Sequence, residues 1–251
     1  MKICIVTGAS SGMGREFVLQ LDKQRDYDEI WVIARREDRL KELEGMTRAK
    51  VHPMAMDLAK DMSLLRRYLE TFRPEVATLV NAAGFGRFGA FRDLSLEDQM
   101  EMTDLNVKAL TAVTYLVLPY MTRGSEIFNL GSLSSFQPVP YIGVYGAGKA
   151  YVLSFSRMLN KELEKDGIKV LAVCPGWVKT EFFDRAVSDD TIKYYNRFYT
   201  AEQVVQRALQ DMERGKDVST VGFPIRMQVR AVKLLPHRLV MKIWCRQQGK
   251  N

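Results

Sequence analysis

Tyr145 and Lys149 lie four residues apart, a spacing that puts both on one face of a helix. They close the stretch NLGSLSSFQPVPYIGVYGAGK, which runs from Asn129 to Lys149 and also carries Ser132, Ser134, Ser135 and Tyr141. A neighbouring ammonium favours a phenolate, so Lys149 is expected to lower the Tyr145 pKa from about 10 toward the working pH. Tyr145 can then donate a proton to a carbonyl oxygen in a reduction and accept one in the reverse oxidation. Ser132, at the end of an expected strand, can hydrogen-bond the same oxygen and stabilise alkoxide charge as it develops. Ser134 and Ser135 are read as loop-shaping residues. Tyr141 follows Pro138 and Pro140, a combination suited to an extended turn beside a pocket, and its contact with a substrate stays open. Lys149 separates the two tyrosines, because the residue four after Tyr141 is Tyr145 itself.

A second chemical signature lies near the N-terminus, where TGASSGMG runs from Thr7 to Gly14. Gly8, Gly12 and Gly14 allow a tight turn and close approach of the backbone to a pyrophosphate, whose charge free N–H groups and a helix dipole stabilise. Ser10 and Ser11 add hydroxyls. The second expected strand ends WVIARR, with Ala34 where a dinucleotide fold that takes NAD usually places an acid for the ribose 2′-hydroxyl. Arg35 beside it offers a forked guanidinium for a 2′-phosphate, which favours NADP(H) while leaving NAD(H) open. The competing reading makes Arg35 and Arg36 solvated charges at a helix entry.

These groups need a scaffold that brings strand ends together. Short runs rich in Val, Ile and Ala are expected as strands at residues 3–6, 30–34, 51–55, 78–80, 126–130 and 169–173, with a weaker one at 218–221. Helical patterns fall near 12–23, 36–43, 62–71, 96–121, 145–165 and 201–214. Strand and helix alternating this often imply right-handed crossovers and a doubly wound parallel sheet, a Rossmann-type three-layer α/β/α sandwich. Ligands of such sheets bind outside the carboxyl ends of the strands.

The chain of 251 residues, 47% hydrophobic and 27% charged, can bury a large core as one globular unit without a linker. Cys4, Cys174 and Cys245 are odd in number and far apart, which argues against a disulfide framework and suits a reducing compartment. With only His52 and His237 besides, no metal site is expected. The apolar run after Met1-Lys2 is too short for a secretory signal and no segment has the length of a membrane span, so a cytoplasmic location is expected.

The formal charge of +7 is localised. After Asp217 there is no acid, while Arg226, Arg230, Lys233, Arg238, Lys242, Arg246 and Lys250 supply seven cations; removing these seven from the 37 basic residues leaves 30 against 30 acids. Residues 225–247 read as two helical pieces broken at Pro236, each with a basic face. Such a tail can pack on the body or a neighbouring subunit and wall off a pocket, or it can touch an anionic membrane surface peripherally. Nucleic-acid binding is not expected, since the rest of the chain is charge-balanced and holds no recognition motif.

With these motifs in order, the chain resembles the short-chain dehydrogenase/reductase family over nearly its whole length. Thr7 to Gly14, including Met13, is similar to its cofactor loop, Asp57-Leu58 to its adenine contact and Asn81-Ala82-Ala83-Gly84 to the motif after the fourth strand. Asn106 matches the asparagine of the long fourth helix, Ser132 the catalytic serine, and Tyr145 with Lys149 the Y-x-x-x-K pair. Pro175-Gly176, followed by Val178 and Thr180, is similar to the segment that holds the nicotinamide carboxamide. The resemblance implies that Lys149 also reaches the nicotinamide ribose and that Asn106 holds a water linking Lys149 to solvent. It further implies that residues 1–223 form the nucleotide-binding domain, with a substrate lid at about 177–200, followed by the basic amphipathic extension 224–251.

The lid carries Trp177, Phe182, Phe183, Tyr194, Tyr195, Phe198 and Tyr199. This aromatic density suits a bulky apolar ketone or alcohol, steroid-like or acyl-chain in character, or else it packs the lid onto the core. The expected function is hydride transfer between a nicotinamide and such a small molecule by a homodimer or homotetramer. The alternative is a non-catalytic nucleotide-sensing or membrane-surface protein on the same fold.

Overall fold

The structure, a computed structural model, describes residues 1–187 and 191–250, so residues 188–190 of the expected lid and Asn251 lie outside it. Seven parallel strands form the main sheet: β1 (Lys2–Thr7), β2 (Glu29–Ala34), β3 (Lys50–Ala55), β4 (Glu75–Asn81), β5 (Glu126–Leu130), β6 (Lys169–Val173) and β9 (Val218–Ser219). Their order is β3-β2-β1-β4-β5-β6-β9, reversing direction of growth between β1 and β4, the point at which a doubly wound sheet opens its ligand crevice. A small second sheet pairs β7 (Trp177–Lys179) with β8 (Phe198–Thr200), also in parallel.

The strand interiors are mostly apolar because both faces of the sheet are covered, with Thr78, Asn81 and Asn129 as buried polar exceptions. In β1, Cys4 and Val6 face one core with Phe17, Leu21, Phe128, Val205 and Leu209, while Ile3 and Ile5 face the other with Trp31, Leu65, Leu79, Val113 and Ile127. Helices α1 (Gly12–Gln24), α2 (Glu37–Lys41) and α8 (Ala201–Glu213) contribute to the first core. Helix α3 (Ser63–Phe72) and the long α6 (Gly143–Glu162) contribute to the second. Pro53, which cannot donate to a ladder, sits in β3 at the sheet edge, where the missing N–H costs nothing.

The helix expected at 96–121 is not uniform. It runs as α4 (Leu96–Thr103), a π-helical turn over Asp104–Ala109, α5 (Leu110–Val117) and a 3₁₀ turn over Leu118–Tyr120 that carries Pro119. The wide turn falls on Asn106, and such insertions gather at functional positions. The strand expected at 78–80 extends to Glu75–Asn81, and the one at 218–221 shortens to two residues.

Beyond β9 the chain continues as α9 (Phe223–Leu234) and α10 (His237–Gln247), broken at Pro236. Both pack on the body: Ile225, Val229, Val232 and Val240 are buried, and the Trp244 indole Nε1 donates to the Pro140 carbonyl at 2.9 Å. The buried Gln248 clamps the lid, accepting from the N–H groups of Lys193 and Tyr194 and donating to the Tyr194 carbonyl. Among the described residues no helix is long and apolar enough to cross a membrane.

Candidate active site

One continuous cavity of about 830 Å³ opens at the carboxyl ends of the strands. Its first half is polar and built by turns. Gly8 adopts φ +67°, and a Cβ there would lie 2.7 Å from the Ala83 nitrogen; a Cβ on Gly14 would lie 2.2 Å from the Gly8 carbonyl oxygen. Only glycine lets β1, the first turn of α1 and the turn after β4 pack this closely. The Thr7 hydroxyl ties the same corner, donating to the Val80 carbonyl and accepting from the N–H groups of Ala82 and Ala83. Ser11 caps α1 without a side-chain hydrogen bond, so the first N–H groups of the helix keep their capacity for an anion beside the cavity-lining Gly12, Met13 and Gly14. A cradle of this shape fits a dinucleotide pyrophosphate.

The other expected cofactor residues mostly line the same cavity: Ser10, Arg35, Asp57, Leu58, Ala82, Gly84, Pro175, Gly176, Val178 and Thr180. The two arginines after β2 differ. Arg36 donates to Glu181 at 2.9 Å and to the Ser10 hydroxyl at 3.2 Å, whereas Arg35 is exposed and makes no ion pair among the described residues. Burial first, and then the charge of Arg35, hold the Arg185 guanidinium below its usual range, against the opposing pull of its ion pair with Glu101 at 2.8 Å.

At the seam between the halves sit the residues expected to handle the proton. Tyr145 is buried on the cavity wall, its ring 5.5 Å from Phe182 and 5.9 Å from Phe88. The Lys149 ammonium lies 5.6 Å from the centre of that ring and donates to the Leu130 carbonyl at 2.7 Å. Ser132, at the end of β5, is hydrogen-bonded with Tyr145 and accepts from the Ser134 N–H at 3.2 Å. Ser135 braces the loop, accepting from the Ser132 N–H and donating to the Lys149 carbonyl.

The expected lowering of the Tyr145 pKa is corrected by the structure. Burial pushes the phenol up to about 12, and the hydrogen bond from Ser132 reverses only part of that rise. Burial also brings Lys149 down to about 8, weakening the cation that sequence spacing credits with activating Tyr145. Spacing reports proximity but not the desolvation that both groups share.

Two expected ligands stand behind the wall rather than on it. Asn81 donates to Thr114 Oγ1 at 3.0 Å and to Asn129 Oδ1 at 2.9 Å, and Asn129 donates to Ser156, so its side chain joins β4, β5, α5 and α6 in a buried polar network. Asn106 accepts from the Phe85 N–H at 3.2 Å and donates to the Phe85 carbonyl at 2.8 Å, pinning the turn after β4. Its Oδ1 lies 2.4 Å from where a Gly84 Cβ would be, and the Lys149 Nζ is 3.4 Å from the same point. Asn106 thus adjoins Lys149 although it does not line the cavity. Ser134, expected only to shape the loop, lines the cavity with a buried hydroxyl that has no partner among the described residues. Tyr141 stays off the wall, at φ +66°, with the Lys250 ammonium over its ring.

The second half of the cavity is apolar. Trp177, Phe182, Phe183 and Tyr194 line it, with α7 (Phe182–Ala186) supplying the two phenylalanines. Tyr195 and Phe198 pack onto those rings, and Tyr199 is buried in the sheet core, so the lid aromatics divide between pocket and packing. Sequence reasoning missed Phe85 and Phe88 after β4; Val232, Leu235, Ile243 and Trp244 line the cavity from the tail, in line with the reading in which the tail packs on the body and walls off the pocket. The apolar stripe of the tail left packing and membrane contact both open, because a stripe does not say what it faces.

The short chain dehydrogenase family model matches residues 2–191. Sulfoacetaldehyde reductase 2 of Chromohalobacter salexigens is 38% identical over 205 residues, which cover 74% of this chain and 79% of that protein. Among solved structures, a short-chain dehydrogenase from Sphingobium yanoikuyae in complex with NADPH superimposes with a TM-score of 0.81 at 27% identity, covering 93% of this chain and 92% of the other. The bulky-bulky ketone specific alcohol dehydrogenase from Comamonas testosteroni gives a TM-score of 0.74 at 25% identity, again covering 93% and 92%.

Proposed function

The chain belongs to the short-chain dehydrogenase family of oxidoreductases, and on that premise we propose that it moves a hydride between NADP(H), in preference to NAD(H), and a ketone or secondary alcohol with a bulky apolar body. The observation that carries this reading is the position of Ser132, Tyr145 and Lys149 on one cavity, between a glycine-lined anion cradle and an aromatic chamber. A non-catalytic sensor has no use for a proton donor built into that seam.

The bound nicotinamide would supply or take up the hydride. Gly8, Ser10, Ser11, Gly12, Met13 and Gly14 would hold its pyrophosphate, Asp57 and Leu58 its adenine, and Ala82 and Gly84 the ribose side. Pro175, Gly176, Val178 and Thr180 would hold its carboxamide, and Lys149 the nicotinamide ribose. With no acid at Ala34, and with Arg35 in no ion pair among the described residues while Arg36 and Arg185 are held by Glu181 and Glu101, Arg35 is the guanidinium left to meet a 2′-phosphate.

The chain's own residues handle the proton. A phenol held at about 12 is protonated at neutral pH, so Tyr145 carries the proton a carbonyl oxygen needs, and the hydrogen bond from Ser132 offsets part of the burial that makes it a weaker acid. The Ser132 hydroxyl donates to the same oxygen and lowers the cost of charge developing there. Lys149, with a pKa near 8, exchanges protons readily around neutrality and can recharge the site.

The aromatic wall favours bulk over a small polar substrate. Exposed Tyr115, Tyr151 and Met158 on α5 and α6 offer a face for pairing into a homodimer or homotetramer. The test is a panel of apolar ketones and alcohols followed by NADPH absorbance in both directions. Wild type should turn over at least one bulky member. Tyr145→Phe should lose activity by about a thousandfold while retaining NADPH binding. Arg35→Ala should weaken NADPH by about tenfold and NADH hardly at all. Undiminished turnover in Tyr145→Phe, or equal losses for both cofactors in Arg35→Ala, would refute the respective assignment.

A further inference from the structure

The tail turns an unusual surface outward. Helix α9 buries Ile225, Val229 and Val232, which leaves Phe223 (65% exposed), Met227 and Leu234 (86% exposed) facing solvent. Past Pro236, Leu239 and Ile243 are also exposed, and Leu235 and Ile243 belong to the cavity wall as well. An apolar strip therefore runs from open surface into the mouth of the substrate chamber. Contiguous apolar surface of this kind marks an interaction site.

Charge decides which partner fits. Arg230, Lys233, Arg238, Lys242 and Arg246 are exposed around the strip, none forms an ion pair among the described residues, and no acidic residue follows Asp217 in the sequence. Elsewhere the chain is balanced and many of its surface cations are paired, as in Arg157 with Asp217 and Lys108 with Asp104. Two copies meeting through this face would bring like charges together around a two-fold axis, which is unfavourable. An anionic partner is complementary, and protruding leucine and phenylalanine among lysine and arginine suit the boundary between headgroups and acyl chains.

We propose that the α9–α10 face docks on an anionic lipid surface, with Phe223, Met227, Leu234 and Leu239 in the interfacial layer and the cavity mouth against it. The docked orientation gives an apolar substrate a path from the lipid phase into the aromatic chamber. Docking does not depend on turnover, so its test stands apart from that of the enzymatic reading.

The experiment is co-sedimentation of the full chain with phosphatidylcholine vesicles, and with vesicles containing about a third phosphatidylserine, alongside light scattering of the protein alone. Wild type should bind the anionic vesicles at least tenfold more tightly than the neutral ones, and salt should weaken that binding. Lys242→Glu with Arg246→Glu should abolish the preference, and Leu234→Ser should weaken binding severalfold while NADPH oxidation in solution is unchanged. Equal or absent binding to the two vesicle types would overturn the proposal. So would an oligomer in solution that the Lys242→Glu, Arg246→Glu or Leu234→Ser change dissociates, since a second copy would then be what covers the face.

Discussion

The two halves of the cavity are built on different principles. The nucleotide half is made by short turns directly after β1, β2, β3 and β4, each contributing residues adjacent in sequence and held by backbone bonds such as Gly8 N–H to the Ile33 carbonyl at 2.8 Å. The substrate half assembles rings and aliphatic side chains from segments far apart in the chain, including Phe85 and Phe88, Val139, Trp177 and Phe182, Tyr194, and Trp244. Where residues act through local geometry, a motif is enough to place them. Where they act by filling volume, no single segment carries the information.

Steric failure of the first half gives the largest expected effect on cofactor binding. Gly14→Ala places a methyl group 2.2 Å from the Gly8 carbonyl oxygen, so backbone must move at the glycine cradle. NADPH affinity measured by fluorescence titration should fall by at least about a hundredfold, and stability by about 1–3 kcal/mol. Gly143→Ala, where an added methyl meets nothing within 4 Å, should leave both within about 1 kcal/mol of wild type. Similar behaviour of the two variants would end the claim that the cradle is sterically specified.

Lys149 sits at the seam, and its effect is on stability as well as turnover. Its amine is held near 8 against an ordinary 10.5, so between those pH values the unfolded chain binds more protons than the folded one, and stability rises with pH across that window. Below it the shift corresponds to ~3 kcal/mol working against folding, offset in part by the bond to Leu130, whose net contribution is about 1 kcal/mol. Lys149→Met should therefore abolish turnover, yet raise the melting temperature at pH 7 by the equivalent of ~2 kcal/mol. The advantage should fade by pH 10.5. A variant that melts earlier than wild type at pH 7 would show that the buried amine is stabilising.

The smallest effect probes the second half alone. Trp244→Phe keeps an aromatic ring on the wall but removes the indole bond to Pro140, a loss of about 1 kcal/mol. KM for an apolar ketone should rise about fivefold with NADPH affinity unchanged. Equal changes in both constants would mean that the halves are not separable.

Much of the fold was legible because buried parallel strands are mostly apolar and their intervening helices periodic, as Ile3–Val6 and the 201–214 segment show. The π turn at Asn106 was not, since one extra residue in a turn leaves hydrophobic periodicity almost unaltered. Asn81 was expected as a ligand from the resemblance of Asn81-Ala82-Ala83-Gly84 to the family motif; at the end of β4 its side chain instead closes a network with Thr114 and Asn129, partners that only the packing of α5 and β5 brings within reach.

The sequence by itself determined the sheet, the glycine turn and the shared face of Tyr145 and Lys149, because each follows from the geometry of a few consecutive residues. Only the tertiary structure decided which arginine after β2 is spent on Glu181, where the tail lies, and the sense of the Tyr145 shift. Those outcomes are sums over distant segments. Desolvation in particular depends on every chain segment that excludes water from a group, and Phe88 and Phe182 close around Tyr145 from parts of the chain that its own neighbours do not reveal.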